Sequence, residues 1–199
     1  MPSSFIQQGL DSFSYVPARD SYNSGEVLAT ITGTPAISGS GASAVLRLTS
    51  ASVAGVAAFV GNVHATFRLN VPTAPTSGDV RKWGLRNPGN GDRNAIMFEI
   101  SGTTFRAAIY DTSGSLLYSK TITWDAAWSA TDVAYTIQAT PNEIRFLIND
   151  VLQPQCNFEI PITSHHLTMH SPLFFYVFND EADNMDLSAI HVLKASNLT

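Results

Sequence analysis

The chain has 199 residues, 44% hydrophobic and 14% charged, with 11 basic and 16 acidic side chains and a formal net charge of −5. That length supports one sizeable core, and all-β chains of this size are commonly single domains. The charge balance excludes a nucleic-acid binder, because no basic run exists to neutralise phosphates, and no stretch approaches the ~18 apolar residues of a membrane-spanning helix. Charge falls below the usual quarter of residues. Ser, Thr, Asn and Gly take its place, so the expected surface is neutral and hydrogen-bonding. Met1–Asp11 has no basic region leading into an apolar core, so no signal peptide is expected. Cys156 stands alone, which excludes an intrachain disulfide; a buried structural thiol and a reactive or intermolecular one remain the two readings.

Residues 1–26 read as an extended arm with apolar anchors (Phe5, Ile6, Leu10, Phe13, Tyr15 and Val16) set among Gln, Ser and Gly. The arm could lie on its own domain or on a neighbouring subunit. Residues 27–199 read as one β-sandwich domain. Glu26–Ile31 and Ala44–Leu48 are strands, with a loop at Ile37–Gly41 between them. Ser50–Val60 permits either a short helix or an apolar loop and strand. Asn62–Val71 alternates cleanly, with Val63, Ala65, Phe67, Leu69 and Val71 on one face, as a half-buried antiparallel strand does.

Arg81–Leu85, Ala95–Ile100 and Thr103–Tyr110 then form a meander, with the turn formers Asn87–Asp92 and Ser101-Gly102 between them. The other strands are expected to pack on it. Leu116–Trp124 returns after Ser113-Gly114, and Asp125–Thr131 is a loop or a single helical turn. Val133–Ala139 and Ile144–Ile148 alternate again, and Asn149-Asp150 is a two-residue hairpin signal. Residues 153–170 read as a long connection. Leu173–Phe178 is the best candidate for a buried central strand, Asn179–Asp186 is an acidic loop, and Leu187–Leu193 is a last strand. Many short strands with regular turn signals and no convincing helix predict a sandwich or barrel.

Two patterns sharpen this. Tyr135–Leu152, Y-T-I-Q-A-T-P-N-E-I-R-F-L-I-N-D-V-L, resembles a hairpin of concanavalin-A-like jelly-roll sandwiches, and Met185–Leu193 resembles their final strand. Arg81–Phe105, R-K-W-G-L-R-N…G-N-G…M-F-E-I-S-G-T-T-F, resembles the R-x-W-G-L…N-G-x-x-F-E-x-x-G-T-x-L signature of tailed-phage virion proteins with a β-sandwich domain. Here the segment before Phe98 is longer, and Phe105 stands where an aliphatic residue is usual. The likeness spans about Arg81 to Leu193 and leaves the earlier residues unmatched.

The concanavalin-A-like class includes glycoside hydrolases that carry E-x-D-x-x-E on one strand, so that alternation points an acid and a nucleophile into one cleft. Here the corresponding strand carries Glu99 alone, with Met97 and Ser101 at two-residue spacing. A solvent-facing or Arg-paired Glu99 is therefore expected, and the chain is expected not to be an enzyme. His165, His166 and His170 have a spacing that could ligate a metal, against the plainer reading of a surface loop. Asp180, Asp183 and Asp186, with Glu181 beside them, are weak calcium candidates against a solvated acidic loop. No metal, cofactor or nucleotide is expected. Trp124 and Trp128 bracket a loop and are candidates for stacking on sugars, whereas Trp83 is expected in the core; packing in a core or subunit interface is the alternative for all three.

The leading expectation is an all-β jelly-roll sandwich of two antiparallel sheets with an N-terminal arm, acting as a phage virion component: capsid decoration, fibre or tail protein. The phage likeness implies assembly in the host cytoplasm, other virion proteins as partners, and a homo-oligomer, with a trimer favoured. The alternative is a carbohydrate-binding module, free or as a fibre's receptor-binding tip, with a surface glycan as partner.

Overall fold

The computed structural model describes residues 12–15, 29–33, 35–40, 43–55, 62–87, 91–140, 142–159 and 173–194. The strands in chain order are β1 (Ser12–Tyr15), β2 (Ala29–Thr32), β3 (Ala36–Ser38), β4 (Val45–Leu48), β5 (Ala51–Gly55), β6 (Val63–Asn70), β7 (Val80–Arg86) and β8 (Ala95–Ser101). They continue as β9 (Thr104–Tyr110), β10 (Leu116–Thr121), β11 (Val133–Ala139), β12 (Glu143–Ile148), β13 (Val151–Glu159), β14 (Phe174–Asn179) and β15 (Met185–Lys194).

They form two antiparallel sheets. Sheet A has eight strands in the order β13-β12-β11-β6-β15-β4-β3, with β1 also paired to β15. Sheet B has seven, in the order β10-β9-β8-β7-β14-β5-β2. The meander read from the sequence is the β7–β10 run of sheet B, and the apolar Leu173–Phe178 segment supplies β14, inside that sheet between β7 and β5. The expected jelly-roll sandwich is the fold.

Alternation explains how the sheets meet. On β6, buried Val63, Ala65, Phe67 and Leu69 alternate with more exposed neighbours. Their counterparts on sheet B are Trp83 and Leu85, Ile96, Phe98 and Ile100, and Phe105, Ala107 and Ile109. Both sets belong to one continuous core. At its centre Phe98 lies 6.0 Å from Trp83 and meets Tyr135 and Phe146 edge-on at 5.3 and 5.0 Å. Each such buried ring stabilises the fold by about 3 kcal/mol through area removed from water.

The turns follow their residues. Asn149 and Asp150 both have positive φ, 50° and 64°, as a type I′ hairpin requires. Asp125 accepts from the Ala127 amide at 2.9 Å and so starts the single 3₁₀ turn Ala126–Ser129. The acidic loop is tied down by Asn179, whose amide donates to the carbonyls of Leu48 at 2.8 Å and Asp183 at 2.7 Å.

Three expectations change. Residues 153–159 are strand, not connection: β13 runs through Pro154 because it is an edge strand and its register shifts there, so the missing amide breaks no ladder. Ile37 and Ser38, expected in the Ile37–Gly41 loop, belong with Ala36 to a three-residue edge strand that pairs with β4. Ser50–Val60 resolves as strand over Ala51–Gly55, and its remainder lies outside the described residues. Of the expected arm, only Ser12–Tyr15 is described; it pairs antiparallel with Ile190–Leu193 of β15.

Candidate functional site on the outer face of sheet B

Because Trp83, Phe98, Phe105, Phe175 and Val177 face the core, their strand neighbours point away from it. Strand register then lines these neighbours up across sheet B. One row runs Ser52, Phe178, Lys82, Glu99, Arg106, Thr121. The adjacent row runs Ala54, Tyr176, Gly84, Met97, Ala108, Ser119. The first is charged at its centre. The second is built from small or apolar side chains, and its Gly84 has a packing reason: a Cβ there would sit 2.6 Å from Met97 Cα on the neighbouring strand.

Glu99 is the centre of the charged row and is only 4% exposed. Its carboxylate accepts from Arg106, 2.9 Å from Nη2, and from the Tyr110 hydroxyl at 2.7 Å. Lys82 Nζ lies 3.4 Å away on its other side and also donates to Asp92 at 2.5 Å. Tyr110 sits beyond the row of Met97 and Ala108, so its hydroxyl reaches Glu99 by crossing over them. The four residues Ala95, Met97, Ala108 and Tyr110 form a separate buried cluster on this outer face.

The electrostatics follow. Burial first, and then the Glu99 hydrogen bond, push the Tyr110 hydroxyl well above the ordinary tyrosine range, so it stays a donor. Burial works against the charge on Arg106, but the hydrogen bond and charge of Glu99 outweigh it and hold the guanidinium ionised. Beside this network, Tyr176 and Phe178 stack with centroids 6.0 Å apart, and the Arg86 guanidinium lies 3.4 Å from the Tyr176 ring centroid. Tyr176 is itself buried beneath Arg86, so the aromatic surface left on this face is that of the half-buried Phe178, next to Lys82 and Arg106.

The residues singled out from sequence lie elsewhere or do not converge. Trp124 and Trp128 sit at the edge of the core, half-buried, their rings edge-on to Phe105 at 5.4 and 6.0 Å and to each other at 5.5 Å. Trp124 also donates to Ser129 at 3.3 Å. Asp186 is held by both arms of the Arg47 fork at 2.8 Å, Asp183 takes the Thr73 hydroxyl at 3.5 Å, and Asp180 is exposed. Among the described residues no group of His, Cys, Asp or Glu is placed to hold a metal. His165, His166 and His170 lie outside the described residues. Cys156 is buried, and burial pushes its thiol up to about 11.

Sequence reasoning missed Lys82, Asp92, Arg106, Tyr110 and Phe178. The alternation of β7, β9 and β14 already placed four of them on the outer face. Asp92 carried no such signal, because it sits in the turn-rich segment ahead of β8.

The architecture is that of the concanavalin-A-like jelly-roll proteins. Three of the particular structures it resembles are a transglycosylase, a glucanase and a lumenal domain. The Crh5 transglycosylase in complex with NAG aligns with TM-score 0.67 and 11% identity, covering 94% of this chain and 85% of that one. The Bacillus licheniformis β-glucanase aligns with TM-score 0.65 and 14% identity over 95% of this chain and 100% of that one. The VIP36 exoplasmic/lumenal domain in its Ca2+/Man2-bound form gives TM-score 0.62 and 13% identity, covering 95% and 89%. At such identities the likeness is one of fold. No family model matches the chain, and no curated protein matches it by sequence. None of these three structures is a virion protein, and the phage likeness of Arg81–Phe105 gains no support from them.

One expectation is corrected. The reading that this chain is not an enzyme rested on the lack of a second carboxylate on the strand of Glu99. The structure brings Asp92 to the same lysine from outside that strand. The fold itself is one that a transglycosylase and a glucanase use.

Proposed function

We propose that the chain is a carbohydrate-recognition module that binds a glycan on the outer face of sheet B. The observation that carries this is the row Phe178–Lys82–Glu99–Arg106, an ion-paired, pre-positioned polar strip beside stacked aromatic rings. Sugars present apolar C–H faces and hydroxyls that both donate and accept, which such a surface matches. The low-charge Ser/Thr/Asn-rich composition suits the same chemistry. Two of the structural neighbours were solved with NAG and with Man2 bound, which supports a saccharide as ligand.

The test is a glycan panel followed by calorimetry on the oligosaccharides that respond. Saturable binding is expected, weakened about tenfold, or ~1.4 kcal/mol, by Phe178→Ala. Loss on Trp124→Ala or Trp128→Ala instead would move the site to the sandwich edge. Silence across a broad panel would sink the proposal.

A second reading attaches to the carboxylate pair. Asp92 and Glu99 lie within 2.5 and 3.4 Å of one ammonium, so their nearest oxygens are at most about 6 Å apart, a bound that admits the ~5–5.5 Å spacing of retaining glycosidases. Glu99 accepts from Arg106 and Tyr110, which suits a fixed anion or nucleophile better than a proton donor. Recognition therefore stands first. Release of reducing sugar from a β-glucan, lost in both Asp92→Asn and Glu99→Gln, would put the second reading ahead.

A further inference from the structure

A cavity of about 270 Å³ opens on the outer face of sheet A, away from the face just described. Its floor is a cross-strand row: Arg47 on β4, Asp186 on β15 and Asn70 on β6 stand opposite one another in register. Leu46 and Leu48, Met185 and Leu187, and Leu69 and Val71 face the core. Alternation therefore turns the floor residues outward. Pro72 and Thr73, just beyond β6, and Asp183 and Asn184, just before β15, form the wall.

The floor is neutral overall, because Arg47 Nε and Nη2 each donate to a different Asp186 oxygen at 2.8 Å. The Asn184 side-chain oxygen is occupied by the Thr49 hydroxyl at 2.6 Å. Asn70 Oδ1 is not: it is buried and has no hydrogen-bond partner. A buried acceptor without a donor costs stability unless something fills it. Among the described residues, the exposed Asp183 carboxylate meets the Thr73 hydroxyl alone, at 3.5 Å. The cavity therefore opens on the Asp183 carboxylate, with the unpaired Asn70 Oδ1 buried beneath its floor and Pro72 as an apolar wall.

We infer that this cavity is a second ligand site, separate from the face of sheet B, that takes a single neutral polyhydroxylated ring, a monosaccharide unit. Its volume lies just under the ~300–1,000 Å³ of drug-sized pockets, so one ring fits and a long ligand does not. Ligand hydroxyls donate to Asp183 and, once the Asn70 side chain turns its buried Oδ1 toward the cavity, to that oxygen, and accept from the amide hydrogens of Asn184 and the remaining Arg47 amino group. A metal cation is disfavoured because the guanidinium occupies the floor and already neutralises Asp186. An anion is disfavoured by the uncommitted charge of Asp183.

The experiment is an NMR titration of the isotope-labelled chain with glucose, mannose, galactose and N-acetylglucosamine, with calcium titrated separately. Saturable millimolar shifts are expected at the side-chain amides of Asn70 and Asn184. Asn70→Leu should weaken them at least tenfold, and Asn184→Ala severalfold with the spectrum otherwise folded. Shifts at Glu99, Arg106 and Phe178 report the sheet B face independently, so either site can fail without the other. Three outcomes overturn the inference: no saturable shift at Asn70 with any sugar, a response there to calcium alone, or sugar binding that survives Asn70→Leu unchanged.

Discussion

Replacing Glu99 by Gln removes the charge at the centre of the sheet B row and keeps the side-chain shape. The carboxylate is almost fully buried and meets Arg106 at 2.9 Å, Lys82 at 3.4 Å and the Tyr110 hydroxyl at 2.7 Å. Stripping one member of a fully buried ion pair costs about 3–5 kcal/mol, because the other charge is left uncompensated. The partners here are not fully buried: the side chains of Arg106 and Lys82 keep 25% and 16% exposure. Lys82 also retains Asp92, and Gln still accepts a hydrogen bond. Solvent screening brings the expected loss down to about 2 kcal/mol. For a domain of this size that corresponds to a melting temperature lower by about 4–8 °C.

The assay is urea and thermal unfolding of the parent, Glu99→Gln, Arg106→Gln and the double variant. The double-mutant cycle should return a coupling of about 1–2 kcal/mol, since the two residues touch. A Glu99→Gln chain as stable as the parent, or a coupling within ~0.3 kcal/mol of zero, would show that the row is a solvated surface pair. The polar strip would then not be pre-positioned.

Two other outcomes are expected. Gly84→Ala forces a Cβ to 2.6 Å from Met97 Cα and 2.8 Å from its Cβ; since the Cα belongs to the sheet and cannot swing aside, a loss of about 1–3 kcal/mol in urea unfolding is expected, and an unchanged midpoint would refute the close approach. Stability should also fall steeply on the alkaline side. Tyr110, Tyr135 and Tyr176 all have hydroxyls raised from the ordinary value of 10.0, chiefly by burial. Above that value the unfolded chain releases protons that the folded chain keeps, so the stabilisation is complete below pH 10.0 and is lost as pH rises towards the folded values. Each such tyrosine adds a slope of up to about 1.4 kcal/mol per pH unit. Unfolding midpoints measured upward from pH 8 should show it, and Tyr110→Phe should flatten it; a flat profile in the parent would contradict the burial argument.

The parts of this fold that were legible from one chain are those where period-two alternation meets unambiguous turn residues. β6 and β11 advertise a buried face, Asn149-Asp150 marks its hairpin, and the meander announces itself through three amphipathic runs. β13 was not legible past Leu152, because Pro154 reads as a break unless one knows that the strand lies at an edge with a shifted register. The site was half legible. Alternation shows that Lys82, Glu99 and Arg106 point away from Trp83, Phe98 and Phe105, but nothing in the chain says that these three stand in one row. That depends on register between strands, which long-range packing sets. Trp124 and Trp128 show the converse limit: a tryptophan beside a loop reads the same whether or not its ring packs at right angles to a core ring such as Phe105.

The segment Arg81–Leu85 shows why a motif can be specific without stating a function. Four of its five letters build the sandwich. Arg81 is fully buried; its guanidinium donates to Asn179 at 3.1 Å and to Thr73 at 3.2 Å, joining β7 to the end of β14 and to the loop after β6. Trp83 and Leu85 enter the core, and Gly84 lets β8 approach. A protein that closes a sheet in this way has use for the same letters, so the motif by itself states a fold and not an activity. Lys82 alone faces outward into the charged row, and its role is set by what β8 and the segment before it place alongside: Glu99 and Asp92. The functional information therefore lies in the partners that register brings to Lys82, and substitutions at Asp92, Glu99 and Phe178 will separate function from fold where substitutions within Trp83-Gly84-Leu85 cannot.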